Sequence, residues 1–115
     1  MGIVTTVTDK YQNCIDACSE CAQACYECLD ACLKEPDVGK RAGCIKSLSE
    51  CSQICQQAVS FMSMDAPHAK GLCNLCEDIC NSCAKECEMF SDPHCKQCAD
   101  VCKNCASECH AMHMG

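Results

Sequence analysis

CIDACSECAQACYECLDAC, residues 14–32, carries Cys14, Cys18, Cys21, Cys25, Cys28 and Cys32 at steps that alternate four and three. A mean step of 3.5 residues keeps all six on one face of an α-helix, the face that forms the seam of a helical bundle. The rhythm returns twice. Cys73, Cys76, Cys80, Cys83 and Cys87 follow it, and so do Cys95, Cys98, Cys102, Cys105 and Cys109. A fourth stretch holds only Cys44, Cys51 and Cys55, but Leu48, Ala58 and Met62 complete the same stripe. Between the stripes lie Glu, Lys, Asp, Asn, Gln and Ser, the residues of a solvated face.

The punctuation agrees with four helices. Pro36, Pro67 and Pro93 separate the stripes, and Asp37, Asp65 and Asp92 are candidate N-caps next to them. Asp9 with Gln12 resembles a weak capping box. The spacing predicts helices over about 9–34, 38–62, 66–90 and 93–111. Connections of a few residues make neighbours antiparallel. The expectation is an all-α fold, an antiparallel four-helix bundle with a Cys-lined core, formed by residues 1–115 as one domain. No stretch shows strand alternation or a hairpin turn.

The bulk composition implies either that the chain does not fold alone or that the cysteines supply what an ordinary core lacks. Leu, Ile, Val and Phe number only seventeen of 115 residues, and the net charge is −7. That combination would ordinarily leave a chain disordered. The acidic balance, the lack of a basic run and the scarcity of aromatics exclude a nucleic-acid binder. No apolar stretch is long enough for a membrane span. The start, MGIVTTVTDK, lacks the pattern of a signal peptide. The expected location is therefore the cytoplasm, where thiols stay reduced.

Nineteen thiols have several possible uses. As plain hydrophobes they would pack less well than leucine. As disulfides, neighbours three and four apart on one helix would close tiny loops, and nineteen is odd. As metal ligands they are well placed. Cys-x-x-x-Cys pairs occur at 14/18, 21/25, 28/32, 51/55, 76/80, 83/87, 98/102 and 105/109. Side chains four apart on a helix stand about 5–6 Å from each other at Cβ, close enough for two thiolates to converge on one ion. Soft thiolates select Cu(I), Zn(II) or iron–sulfur clusters. The run from Cys95 to Cys105 lacks the loop spacing and following proline of a ferredoxin motif.

Charge favours Cu(I). Each thiolate balances one monovalent ion, so a loaded interior is neutral. Four Cys₄ zinc sites would bury about eight negative charges. No basic residue is expected on the inner stripe to offset them. A zinc-binding, metallothionein-like buffer and an iron–sulfur or thiol-exchange redox protein remain the alternative functions. No cysteine has a base partner that would mark it as a catalytic nucleophile, so an enzyme is not expected.

From about Tyr11 to Cys109 the chain resembles the cytosolic copper-storage proteins, four-helix bundles packed with Cys-x-x-x-Cys motifs. The resemblance covers the dense first stripe, the thin second stripe around Gly43-Cys44 and Cys51–Cys55, and the closing HCKQCADVCKNCASEC. It implies a bundle that takes up many Cu(I) ions through its nineteen cysteines, stores and detoxifies them, and supplies them later to a copper chaperone or small-thiol exchange partner. It also implies a homotetramer.

Helix direction suggests a portal. One pole of an up-down-up-down bundle collects Met62, Met64, His68, His110, Met112, His113 and Met114 beside Cys14, Cys73 and Cys109. Met62, His68, His110 and His113 are the candidates there for weaker, neutral copper ligands. The other pole offers only His94, and Met89 near Cys87. Tyr26, Leu33 and Leu75 flank the seams and are candidates for an exposed contact between subunits.

Overall fold

A computed structural model describes the backbone of residues 2–114 and the side chains of residues 2–112. Helix α1 spans Gln12–Leu33, α2 Ala42–Ser63, α3 Ala69–Cys87 and α4 Pro93–Met114. Short 3₁₀ turns at Asp9–Tyr11 and Val38–Lys40 lead into α1 and α2. No strand occurs among the described residues. Each helix packs against two neighbours, α1 on α2 and α4, and α3 on α2 and α4, in a closed ring. The body measures 47 × 25 × 18 Å. No helix among the described residues is long and apolar enough to cross a membrane.

The helix ends depart from the cap assignments in instructive ways. Asp65 does not start α3. It has φ 48° and terminates α2. The Ala66 amide donates to the Phe61 carbonyl at 2.9 Å and the Asp65 amide donates to the Met62 carbonyl at 3.0 Å. These are the two bonds of a Schellman motif, with aspartate in the left-handed position that glycine usually fills. The helix after it begins at Ala69, with His68 at its N-cap position. α3 is therefore shorter than the span 66–90, and α4 runs beyond residue 111.

Asp92 stands where a cap belongs, directly before Pro93 at the first helical position. Its carbonyl accepts from the Cys95 and Lys96 amides, both at 3.0 Å. Its carboxylate is turned away, onto Arg41. Asp37 behaves alike, and neither Asp37 nor Thr8 caps its turn through its side chain. Asp9 accepts from the Gly2 amide instead of forming a capping box. The Asp92 carboxylate thus holds a tertiary contact, and that of Asp37 a local one four residues on, in place of caps.

Inside the ring, all nineteen cysteines are buried and free. Leu48, Ala58 and Met62 of α2 are fully buried in line with Cys44, Cys51 and Cys55, as the stripe requires. Beside the seams lie Ala17, Ala22, Ala84, Ala99 and Ala106. These small residues let the helices approach closely enough for sulfur to meet sulfur. Ile15, Leu29, Leu72 and Ile79 are half-buried against this core, while Tyr26, Leu33 and Leu75 remain exposed.

Candidate metal centre

Buried sulfurs form an unbroken path along the bundle. From the pole at the start of α1, Cys14 Sγ is 3.7 Å from Cys109, and Cys109 is 3.8 Å from Cys18. The path continues from Cys18 to Cys105 at 3.6 Å and from Cys105 to Cys55 at 3.8 Å. Cys55 reaches Cys80 at 3.8 Å, Cys80 reaches Cys51 at 3.7 Å, and Cys51 reaches Cys21 at 3.8 Å. Cys21 leads to Cys25 and Cys25 to Cys98, both at 4.0 Å. Cys28, Cys87 and Cys98 lie within 4.8 Å of one another. Cys28 then meets Cys95 at 3.9 Å, and Cys95 meets Cys32 at 3.8 Å.

Most of these contacts cross between helices; among the described residues only Cys14–Cys18, Cys21–Cys25 and Cys76–Cys80 run within one. Cys102 of α4 is 3.8 Å from both Cys21 and Cys25 of α1. Cys76 lies 3.8 Å from Cys55 and from Cys80. Cys44 of α2 lies 4.0 Å from Cys87 of α3. Cys73 and Cys83 of α3 are fully buried in the same core. Several four-sulfur cages result: Cys18, Cys76, Cys105 and Cys109; Cys21, Cys55, Cys80 and Cys105; Cys21, Cys25, Cys51 and Cys102. Cys21 and Cys105 each belong to two cages, so neighbouring sites share ligands.

Burial disfavours the thiolate throughout this core, while neighbouring thiols push some cysteines up and others, such as Cys44 and Cys51, down. The neighbouring Cys109 and Cys14, and then burial, push Cys73 up. Burial, with the neighbouring Cys32, pushes Cys95 up to about 12. A metal ion that binds here must displace protons, and its charge takes over their role in keeping the interior neutral.

The two poles differ from the sequence-based reading. At the pole of Cys14, Cys73 and Cys109, Met62 is fully buried in the core and Met112 is half-buried against it. Tyr11, buried beside them, donates from its hydroxyl to Asp65 Oδ1 at 3.1 Å and roofs the end of the bundle. His68 is exposed, one residue off the seam position taken by Ala69. His110 is exposed and its Nδ1 lies 3.0 Å from Glu77 Oε2. The side chain of His113 lies outside the described residues.

Among the described residues, the histidine that meets sulfur is at the opposite pole. His94 Nδ1 is 3.5 Å from both Cys28 Sγ and Cys95 Sγ. With Cys32 these form a Cys₃His set within 4.8 Å. Arg41 closes the same pole, a residue that the sequence reading passed over. Its NH1 group donates to Cys32 and Cys95 at 3.6 Å each. Its Nε pairs with Asp37 at 2.7 Å and NH2 with Asp92 at 2.6 Å. The guanidinium also stacks on Phe90, 4.4 Å from the ring centroid. Arg41 is only 4% exposed, and no other basic side chain is buried among the described residues. The inner stripe therefore does carry one cation. Its signal was present: Arg41 stands three residues before Cys44, on the seam.

A protein-family model described as "Copper storage protein" matches residues 7–114. Among solved structures, apo copper storage protein 3 from Bacillus subtilis is 40% identical, with 89% of this chain and 97% of that chain covered and a TM-score of 0.83. The Cu(I)-bound copper storage protein BsCsp3 is 42% identical, with 89% and 96% covered and a TM-score of 0.84. A cytosolic copper storage protein from Streptomyces lividans, solved with five coppers, is 30% identical, with 94% and 95% covered and a TM-score of 0.90. With a match that spans nearly every residue and a core made of sulfur, this chain belongs to the copper storage protein family.

Proposed function

We propose that the chain acts as a single metal-binding domain that stores Cu(I) along its sulfur path, at about one ion per cysteine. The observation that carries this reading is the continuity of the path. Successive sulfurs stand 3.6–4.0 Å apart through most of the bundle, and bridging thiolates between low-coordinate ions need such spacing. The four-sulfur cages also satisfy zinc by ligand count, but each Cys₄ site would leave two negative charges. Arg41 is the single buried cation available, and it sits at one end.

Storage in this form shields the ions from solvent and so detoxifies them. Copper enters at the pole of Cys14, Cys73 and Cys109, where the thioethers of Met62 and Met112 continue the seam toward solvent. His68, His110 and His113 are the proposed neutral ligands for passing ions there. The protein is a store and not a catalyst, and it works in the cytosol, where its thiols remain reduced. The Streptomyces lividans neighbour, described as cytosolic, supports that location. The exposed Tyr26, Leu33 and Leu75 support assembly into a tetramer, and a chaperone or small thiol exchanges copper at the open pole.

Anomalous scattering at the copper edge from crystals of the loaded protein tests the reading. The expected result is a file of copper positions along the bundle axis, each between two or three sulfurs. Copper confined to the surface, or to a single four-sulfur cage, would contradict it.

A further inference from the structure

The far pole differs chemically from the rest of the store. Elsewhere the core offers sulfur alone. At the junction of α1 and α4 it offers Cys28, Cys32, Cys95 and the Nδ1 atom of His94. We propose that this Cys₃His set is a separate site for one tetrahedral divalent ion, Zn(II), which clamps the closed pole while copper is scarce.

Geometry supports it first. A tetrahedron with Zn–S of about 2.3 Å and Zn–N of about 2.0–2.1 Å has S···S edges of about 3.8 Å and S···N edges of about 3.6 Å. The four closest edges here are 3.9 and 3.8 Å between sulfurs and 3.5 Å twice between sulfur and Nδ1. The outer shell fits as well. The other ring nitrogen of His94, Nε2, lies 3.4 Å from Glu35 Oε1. A carboxylate in that place accepts a hydrogen bond from the Nε2–H, leaves Nδ1 as the ligand and fixes the ring. Glu35 is thus a positioning residue.

Charge supports it next. Three thiolates around one divalent ion leave one negative charge. Arg41 donates from NH1 to Cys32 and Cys95, hydrogen bonds that favour the thiolate form of these two ligands. Asp37 and Asp92 anchor the guanidinium from the outer side, where they keep contact with water. Cu(I) supplied in excess still displaces zinc, because thiolate ligands favour the softer ion.

A path for a hydrated ion exists. A groove of about 320 Å³ between α1 and α4 is lined by Glu20, Glu27, Cys28, His94 and Gln97. Its two glutamates attract a divalent cation, and its floor is two of the four ligands. Zinc held here would tie the end of α1 to the start of α4, with Arg41 linking the start of α2.

The test is anaerobic titration of the reduced, metal-free full chain with Co(II), a coloured stand-in for Zn(II). The first equivalent is expected to give the intense visible bands of a tetrahedral thiolate site, with a break at about one Co(II) per chain, and Zn(II) should then bleach them. His94→Ala should change the band envelope and weaken this first equivalent at least about tenfold, and Glu35→Gln should weaken it about 10–100-fold with the envelope kept. Circular dichroism checks that both variants are folded. A titration with no break at one equivalent, or a first-equivalent spectrum unaltered by His94→Ala, would overturn the proposal. Neither outcome bears on copper storage, which a Cu(I) titration of the unaltered chain reads separately.

Discussion

Replacing Cys21, Cys25, Cys51 and Cys102 together with alanine is expected to reduce Cu(I) capacity by about four ions per chain and to slow the filling of everything beyond them. These four sulfurs form the cage at the middle of the bundle. They connect Cys80 and Cys105 on the portal side to Cys98 on the far side. A copper ion that moves along the path exchanges one bridging thiolate for the next. Without the cage it must cross with fewer ligands. A barrier raised by about 1.4 kcal/mol already slows such a step tenfold.

Loading kinetics should therefore split into a fast phase for the sulfurs near Cys14 and Cys109 and a phase at least about tenfold slower for those near Cys28 and Cys95. Stopped-flow ultraviolet absorption of the Cu–thiolate bands measures both. A single exchange such as Cys55→Ala should show no split. Cys55 has Cys76, Cys80 and Cys105 around it, and Cys76 also contacts Cys80 directly at 3.8 Å. The path is redundant except where a whole layer is removed.

Arg41→Met should be the most destabilising single change at the far pole. One guanidinium there satisfies two carboxylates, two thiols and an aromatic face. Its removal leaves Asp37 and Asp92 facing each other's charge across a closed end, with an apolar side chain between them. Loss of one partner from a buried pair is costly because the remaining charge is uncompensated, and water access to Asp37 and Asp92 moderates that cost here. For a chain of this size the metal-free protein should lose about 10 °C in Tm, followed by circular dichroism.

The effect has a definite pH dependence. Arg41 holds the Asp92 carboxyl below the usual carboxylate range, chiefly by hydrogen bonding. A group whose pKa is lowered on folding contributes stability that is complete above its unfolded value, about 3.9, and that is lost as pH falls through the folded value. The difference in Tm between the two proteins should be constant near neutrality and shrink below about pH 4. Arg41→Lys should recover only part of it, because an ammonium cannot present the planar fork that reaches carboxylate and sulfur together.

The spacing of the cysteines made the bundle legible. Helices α1, α3 and α4 each carry five or six thiols in strict register, and Leu48, Ala58 and Met62 extend that register through α2 where thiols are few. The same rhythm already held Arg41, three residues before Cys44. Residue type argued against it, because a lone arginine is seldom an inner residue without partners, and its partners Asp37 and Asp92 are separated by more than fifty positions. The rhythm also separates the portal candidates. Met62 and Met112 fall on the seam, while His68 and His110 fall beside it and are exposed.

Two features were hidden for physical reasons. The meeting of His94 with Cys28 depends on how the start of α4 lies against α1, which spacing within one helix does not encode. The role of Asp65 depends on a left-handed backbone that aspartate tolerates and that its sequence context, Asp65-Ala66-Pro67, shares with an ordinary cap.

Anaerobic titration of the fully reduced protein with Cu(I), in competition with a chelator of known affinity, tests copper storage most directly. The sulfur path predicts saturation near one Cu(I) for each of the nineteen cysteines. Saturation at about four ions per chain, as separate four-sulfur cages would give, would contradict it.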